Sequence, residues 1–216
     1  MNKIEIITIN NIGFPSPYTH RIEILANEKK IEYSIINVDL YNKPRWFIDI
    51  APLGQVPLMK VGNTIIADSK AICDYLDNLT QPSLLPVDLL EKAKHNSWWF
   101  FANEVANEIT KIVKNTDLKM VDLKHINDLF KILENNIKGP YFFGNKLSTV
   151  DIALVSHILW IQAFEEYIFP FSLINRYKKL NIWLNTMLTL ESVVKTAGND
   201  FAINFIKHIK MRGYIK

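Results

Sequence analysis

Isoleucine sets the rhythm of the first third of the chain. Residues 3–9 (Lys-Ile-Glu-Ile-Ile-Thr-Ile) and 31–38 alternate apolar and polar positions or run rich in isoleucine, the habit of strands. Between them, residues 17–30 carry Ile22, Leu25 and Ala26 at helical spacing, and Pro17 suits a first helical position. Short strands near 56–61 and 64–67 flank Gly62-Asn63, a hairpin turn signal. Residues 68–78 then repeat Ala71, Ile72, Tyr75 and Leu76 on one helical face. The expected order is β-α-β-α-β-β-α.

After Thr80 the strand signals stop. Gln81-Pro82-Ser83 and Pro86 read as a linker, since prolines disfavour continuing a helix. Downstream, helices are expected at roughly 88–115, 122–138, 148–166, 172–188 and 190–208. Ser148-Thr149-Val150-Asp151 spells a capping box with Asp in place of the usual Glu, and Leu147 and Ile152 are placed for a hydrophobic staple. Asp151 is therefore read as a folding signal. The pattern divides the chain into an α/β domain over 1–80, a linker over 81–87 and an all-helical domain over 88–216.

Composition narrows the function classes. The chain has 216 residues, 49% of them hydrophobic and 22% charged, with a net charge of +3. That suits a compact protein, and no basic run is long enough to suggest a nucleic-acid arm. No apolar stretch approaches a membrane span, and the N-terminal isoleucines are interrupted by Glu5 and lack a small-residue cleavage site. One cysteine, Cys73, precludes an internal disulfide and fits a reducing compartment, so a cytoplasmic location is expected. Mid-helix between Ile72 and Asp74, that thiol reads as buried and inert. The histidines at 20, 95, 125, 157 and 208 show no metal-ligand spacing, and there is no glycine-rich phosphate loop; no metal is expected.

The chemistry concentrates in the run from Ala51 to Ser69. Its Val56-Pro57 step can adopt cis without a large penalty. A turn there would leave the N–H and C=O of Val56 to pair with an extended peptide. A dozen residues on, Asp68-Ser69 opens a helix and offers an N-cap, free N–H groups and a positive dipole end to a carboxylate. The Asp68 carboxylate could hold an ammonium of the same ligand. Upstream, Ser16 follows a strand and stands between Pro15 and Pro17 at the mouth of a helix. Taken locally, Ser16 and the Asp68-Ser69 pair are equally readable as plain helix caps.

Several segments resemble the glutathione transferase family, and its omega class in particular. Phe14-Pro15-Ser16-Pro17-Tyr18-Thr19-His20-Arg21 is similar to that class's Cys-Pro-Phe-x-x-Arg turn. Asn42-Lys43-Pro44-Arg45-Trp46-Phe47 and Pro52-Leu53-Gly54-Gln55-Val56-Pro57 resemble its Lys-Pro-x-Trp-Phe and Pro-x-Gly-x-Val-Pro segments. Leu84-Leu85-Pro86 and the stretch from Phe142-Phe143-Gly144 to Asp151 fall where the class has comparable residues. The chain departs at one position: Ser16 stands where the omega class has cysteine, and in this it looks like the tau class with its Ser-Pro-Phe turn.

The resemblance implies a thioredoxin-like first domain, glutathione as co-substrate, a small hydrophobic electrophile as second substrate, and a homodimer. Ser16 would hydrogen-bond the glutathione sulfur. Lys43 and Gln55 would serve its glycine end, although Lys43 also reads as an ordinary exposed lysine beside a turn. Val56 would act through its backbone beside Pro57, with Asp68 and Ser69 completing the tripeptide site. Phe14 and Pro17 adjoin Ser16 and are the expected contacts to the electrophile. In the family the helix bearing Trp98-Trp99-Phe100-Phe101 lines part of the second-substrate site and the dimer interface; the sequence does not apportion the four.

Ser16 also bears on reaction type. A cysteine there could attack a mixed disulfide and become covalently linked to glutathione, which a hydroxyl cannot do. Conjugation, in which the protein only activates bound thiol, is therefore expected over thiol–disulfide exchange. Two rivals share the scaffold: a glutathione-dependent reductase, isomerase or dehalogenase, and a non-enzymatic interaction protein of the stringent starvation type.

Overall fold

The structure, a computed structural model, describes residues 3–9, 15–115, 122–168 and 173–214. Four strands form one sheet: β1 (Ile4–Ile9), β2 (Ser34–Val38), β3 (Leu58–Val61) and β4 (Thr64–Ala67), in the order β2-β1-β3-β4. β1 and β2 run parallel, with Ile6 opposite Ile35. β3 is antiparallel to both β1 and β4, with Met59 opposite Ile6 and Ile66.

Both faces of the sheet are covered, which explains why β1 is almost continuously apolar. Ile4 and Ile6 join Met59 in a cluster with α1 (Pro17–Glu28) and α3 (Ser69–Leu79). Ile7 points the other way and packs with Val38, Leu58 and Phe47, the last of these from α2 (Arg45–Ile50). The seven elements follow the expected β-α-β-α-β-β-α order.

The remaining elements are helical: α4 (Leu89–Val113), α5 (Lys124–Asn136), α6 (Thr149–Tyr167), a short 3-10 turn (Ile174–Arg176), α7 (Lys178–Met187), α8 (Glu191–Ala197) and α9 (Phe201–Met211). The helix expected over 172–188 begins only at Lys178, after the 3-10 turn and an extended Tyr177. The helix expected over 190–208 is two. Gly198, at φ +81, ends α8, and the chain turns through Asn199 and Asp200 before α9. A glycine with positive φ is a common helix stop. Among the described residues no helix is long and apolar enough to cross a membrane.

The two halves share one core. The cluster that holds Ile4, Ile6 and Ile22 continues without a break through Trp99, Ile109 and Ile158. Asp151 secures the helical half from within. Its carboxylate accepts from the Ser148 N–H (2.9 Å) and hydroxyl (2.6 Å), the Phe142 N–H (2.7 Å) and Trp183 Nε1 (2.7 Å). Burial raises its pKa, while these bonds draw it down.

The segment between the halves is also tied down. Asp77 of α3 accepts from Ser83 Oγ at 2.5 Å and from the Leu84 N–H at 2.9 Å. It also pairs at 3.0 Å with Lys29 Nζ, whose ammonium reaches the carbonyls of Thr80 and Pro82 as well. Asp77→Ala would strand a buried ammonium and release the linker. Chemical denaturation of that variant should show a loss of roughly 3–5 kcal/mol, the usual cost of breaking one side of a buried pair.

Candidate functional site

α1 is aimed by its start. Pro17 occupies the first helical position and Ser16 the cap, while a buried contact between Thr19 Oγ1 and Thr8 Oγ1 (2.7 Å) holds the first turn against β1. Ser16 lends its carbonyl to the His20 N–H at 2.7 Å, but its hydroxyl makes no capping bond. The side chain that local sequence would spend on the helix is thus available to the space in front of it.

α2 positions the next pieces. Phe47 is fully buried beneath the sheet and anchors the short helix, so Lys43 stands just ahead of it and Ala51 to Pro57 run away from its end. Gly54 adopts φ +60, and Lys43 Nζ lies so close that a Cβ at Gly54 would sit 2.9 Å from it. The Val56-Pro57 bond is cis. Among the described residues, no backbone hydrogen bond engages the N–H or C=O of Val56. Asp68 caps α3, with Oδ1 accepting from the Lys70 N–H at 2.7 Å. It does so at φ +74, a conformation an L residue holds only at a cost of about 1–3 kcal/mol. Lys70 itself is spent on Asp74, at 2.6 Å.

These parts converge. A single cleft of about 730 Å³ is bounded by Ser16, Pro17, Lys43, Gln55, Val56, Pro57, Asp68 and Ser69. That size falls in the usual small-molecule range of roughly 300–1,000 Å³. Lys43, Gln55 and Asp68 are exposed, whereas Ser69 and Pro57 are buried. Phe14 lies outside the described residues.

The opposite wall was not foreseen. It is made by Tyr18, by Trp160 of α6, and by Asn103, Asn107, Thr110 and Lys114 along α4. None of Trp98, Trp99, Phe100 and Phe101 is among the residues bounding the cleft. Trp99 is fully buried, Trp98 packs between Phe101 and Phe142, and Phe100 is 66% exposed. The signal for the polar wall was the spacing 103, 107, 110, 114, one line down a helix otherwise rich in apolar residues.

Beneath that wall lies Arg21, fully buried. Its guanidinium donates to Asn103 Oδ1 (2.7 Å), to the Ala153 carbonyl (3.2 Å), to Ser156 Oγ (3.4 Å) and toward His157 Nδ1 (3.4 Å). Its face lies over Tyr18 and Trp99. Burial lowers its pKa to about 10, so it is charged at neutral pH. Burial, reinforced by that cation, holds His157 well below its usual value and therefore neutral, able to accept on Nδ1. His20 meets Thr196 at 2.9 Å and is pushed down to about 3 by burial. The Cys73 thiol is buried and pushed up to about 12, chiefly by the same effect. No group of three or more metal-ligating side chains is found among the described residues.

Two family models match the chain: the glutathione S-transferase N-terminal domain over residues 15–79, and the glutathione S-transferase C-terminal domain over residues 98–191. The chain belongs to the glutathione S-transferase family. It is 27% identical over 212 residues to glutathione S-transferase L1 of Arabidopsis thaliana, spanning 91% of this chain and 84% of that one. With glutathione S-transferase omega-1 of Rattus norvegicus it shares 29% over 181 residues, 79% of this chain and 72% of the relative. The fold matches a trimeric glutathione transferase of Leishmania at a TM-score of 0.82 and 17% identity, over 97% of this chain and about half (48%) of that one. It also matches a rice glutathione transferase solved in complex with glutathione, at a TM-score of 0.76 and 20% identity over 98% and 96% of the two chains. The glutathione S-transferase fold is the architecture described above.

The contact between Lys43 and Gly54 generates a prediction. Gly54→Ala should push the lysine ammonium aside and strain the turn. If Lys43 meets glutathione, KM for glutathione should rise roughly five-fold, the equivalent of about 1 kcal/mol, with a smaller change in kcat.

Proposed function

We propose that this chain holds glutathione along the Val56-Pro57 side of the cleft and delivers its sulfur to a small hydrophobic electrophile. Val56 pairs with the tripeptide backbone. Lys43, with Gln55 beside it, meets the glycine carboxylate; the N–H groups and hydroxyl at Ser69 meet the other carboxylate, and Asp68 takes the ammonium. The three ionic groups of the tripeptide thereby each find a partner of suitable charge or polarity. Gly54 without a side chain and Val56 without a backbone hydrogen-bond partner among the described residues support the fit.

Ser16 carries the assignment of reaction. Its uncommitted hydroxyl at the start of α1 donates a hydrogen bond to the sulfur, and the helix dipole favours negative charge there. The thiol proton leaves to solvent, the thiolate attacks the electrophilic carbon, a carbon–sulfur bond forms, and the displaced group departs with its electron pair. A hydroxyl cannot exchange with a disulfide, so reduction by a covalent enzyme intermediate is not part of the proposal. Pro17, Leu40, Leu53 and the Trp160 ring offer apolar surface to the second substrate. A cytoplasmic homodimer completes the proposal, on the strength of the family.

Ser16→Ala and Ser16→Cys test it, assayed for conjugation of 1-chloro-2,4-dinitrobenzene and for reduction of a small glutathione mixed disulfide. Ser16→Ala should lose conjugation by up to about 100-fold if the hydroxyl accounts for two pKa units of thiolate stabilisation, about 2.7 kcal/mol. Ser16→Cys should gain disulfide reduction. Full conjugation by Ser16→Ala would show that another group activates the sulfur. Failure of the wild type to bind glutathione in calorimetry would remove the enzyme assignment.

A further inference from the structure

The wall of the cleft that faces the glutathione side has a composition the tripeptide does not call for. Asn103, Asn107, Thr110 and Lys114 follow one another at intervals of four, three and four residues, one line down α4 over roughly 16 Å at the usual helical rise. They are not simply the wet face of the helix. Asn103 is half-buried and orients toward the Arg21 guanidinium at 2.7 Å, and Asn107 Oδ1 lies 3.5 Å from the Tyr18 hydroxyl. Alongside this line, other charged groups of the helix have partners: the buried Glu108 pairs with Lys111 at 3.0 Å, and the half-exposed Glu104 approaches His125 at 3.3 Å.

Lys114 differs from Lys111. Among the described residues it forms no ion pair, yet it borders the cleft at the end of the polar line. Glutathione's own ionic groups have partners on the opposite wall, at Lys43, Asp68 and Ser69, so a second cation is surplus to the tripeptide. The inner end of the same wall is aromatic, with Tyr18 and the half-buried Trp160, whose ring rests on Phe205 with centroids 4.8 Å apart.

We propose that the second substrate is an amphiphilic electrophile with a planar apolar ring and a carboxylate or similar anion, the ring seated on Trp160 and Tyr18, and the anion held by Lys114 with the Asn107 amide as hydrogen-bond donor; the Thr110 hydroxyl, which donates to the Ala106 carbonyl at 2.8 Å, lies between them without contributing a donor. The inference rests on the glutathione reading above and narrows its second substrate. A neutral apolar electrophile would desolvate the Asn107 amide and the Lys114 ammonium without replacing their water bonds, whereas an anion replaces them. Because Lys114 is exposed, the preference is modest and falls with added salt.

Binding of paired conjugates tests this without requiring turnover. The full chain is titrated calorimetrically with glutathione, with S-(4-carboxybenzyl)glutathione, and with its neutral counterpart S-(4-carbamoylbenzyl)glutathione. The wild type should bind the carboxylate roughly five-fold more tightly than the carboxamide, the factor for a good exposed ion pair. Lys114→Gln should bring that ratio to about one, and Lys114→Glu should invert it. Equal affinity for the two conjugates in the wild type would overturn the proposal while leaving the glutathione reading in place. So would a preference that survives Lys114→Gln, or a loss of glutathione affinity in that variant with the ratio intact, which would assign Lys114 to the tripeptide. Binding of none of the three ligands would overturn both.

Discussion

The buried guanidinium of Arg21 is the constraint on which the arrangement depends. A cation with no solvent around it must find acceptors, and here they come from two helices, Asn103 on α4 and Ala153, Ser156 and His157 on α6, all meeting a side chain from α1. Leaving any of these unsatisfied in the interior would cost on the order of 1–3 kcal/mol or more. No carboxylate neutralises it in these bonds; neutral acceptors and two aromatic faces do the work of solvation. The mouth of α1 is thereby locked to the wall of α4, and the cleft is the space between them.

That lock explains why the two halves act as one structure despite their different architectures. The thioredoxin-like sheet offers the side of the cleft that holds Ser16, Lys43 and the run from Gln55 to Ser69, built from turns that only a supported backbone can hold. Gly54 takes a left-handed conformation beneath Lys43, and Asp68 takes one without being glycine. The helical half offers the facing wall and carries most of the core. Asp77 and Lys29 bind the connecting segment back onto α1 and α3, so the sheet and the helices meet in one orientation.

Much of this was legible in the chain. β1 and the hairpin at Gly62-Asn63 follow from period-two patterning and turn chemistry, which act over a few residues. Pro17 and Asp68 mark helix starts for equally local reasons. The break at Gly198 was present as Gly-Asn-Asp but was hidden by apolar residues on either side that continue a helical period. Trp98 to Phe101 illustrate the opposite case: four adjacent aromatics cover every direction of a helix, and only the packed neighbours decide that Trp99 is core and Phe100 is surface.

Sequence alone carries the fold class, the family and the candidate positions 16, 43, 55–57 and 68–69, because those depend on backbone preferences and contiguous motifs. Only the tertiary structure decided what stands opposite them. Asn103 and His157 lie 82 and 136 residues from Arg21, so nothing local marks that arginine as buried. Likewise, Asn107, Thr110 and Lys114 read as an ordinary polar face until α1 and α6 are set against them. A polar side chain is solvated or part of a binding wall according to what faces it, and that is a property of packing at long sequence separation.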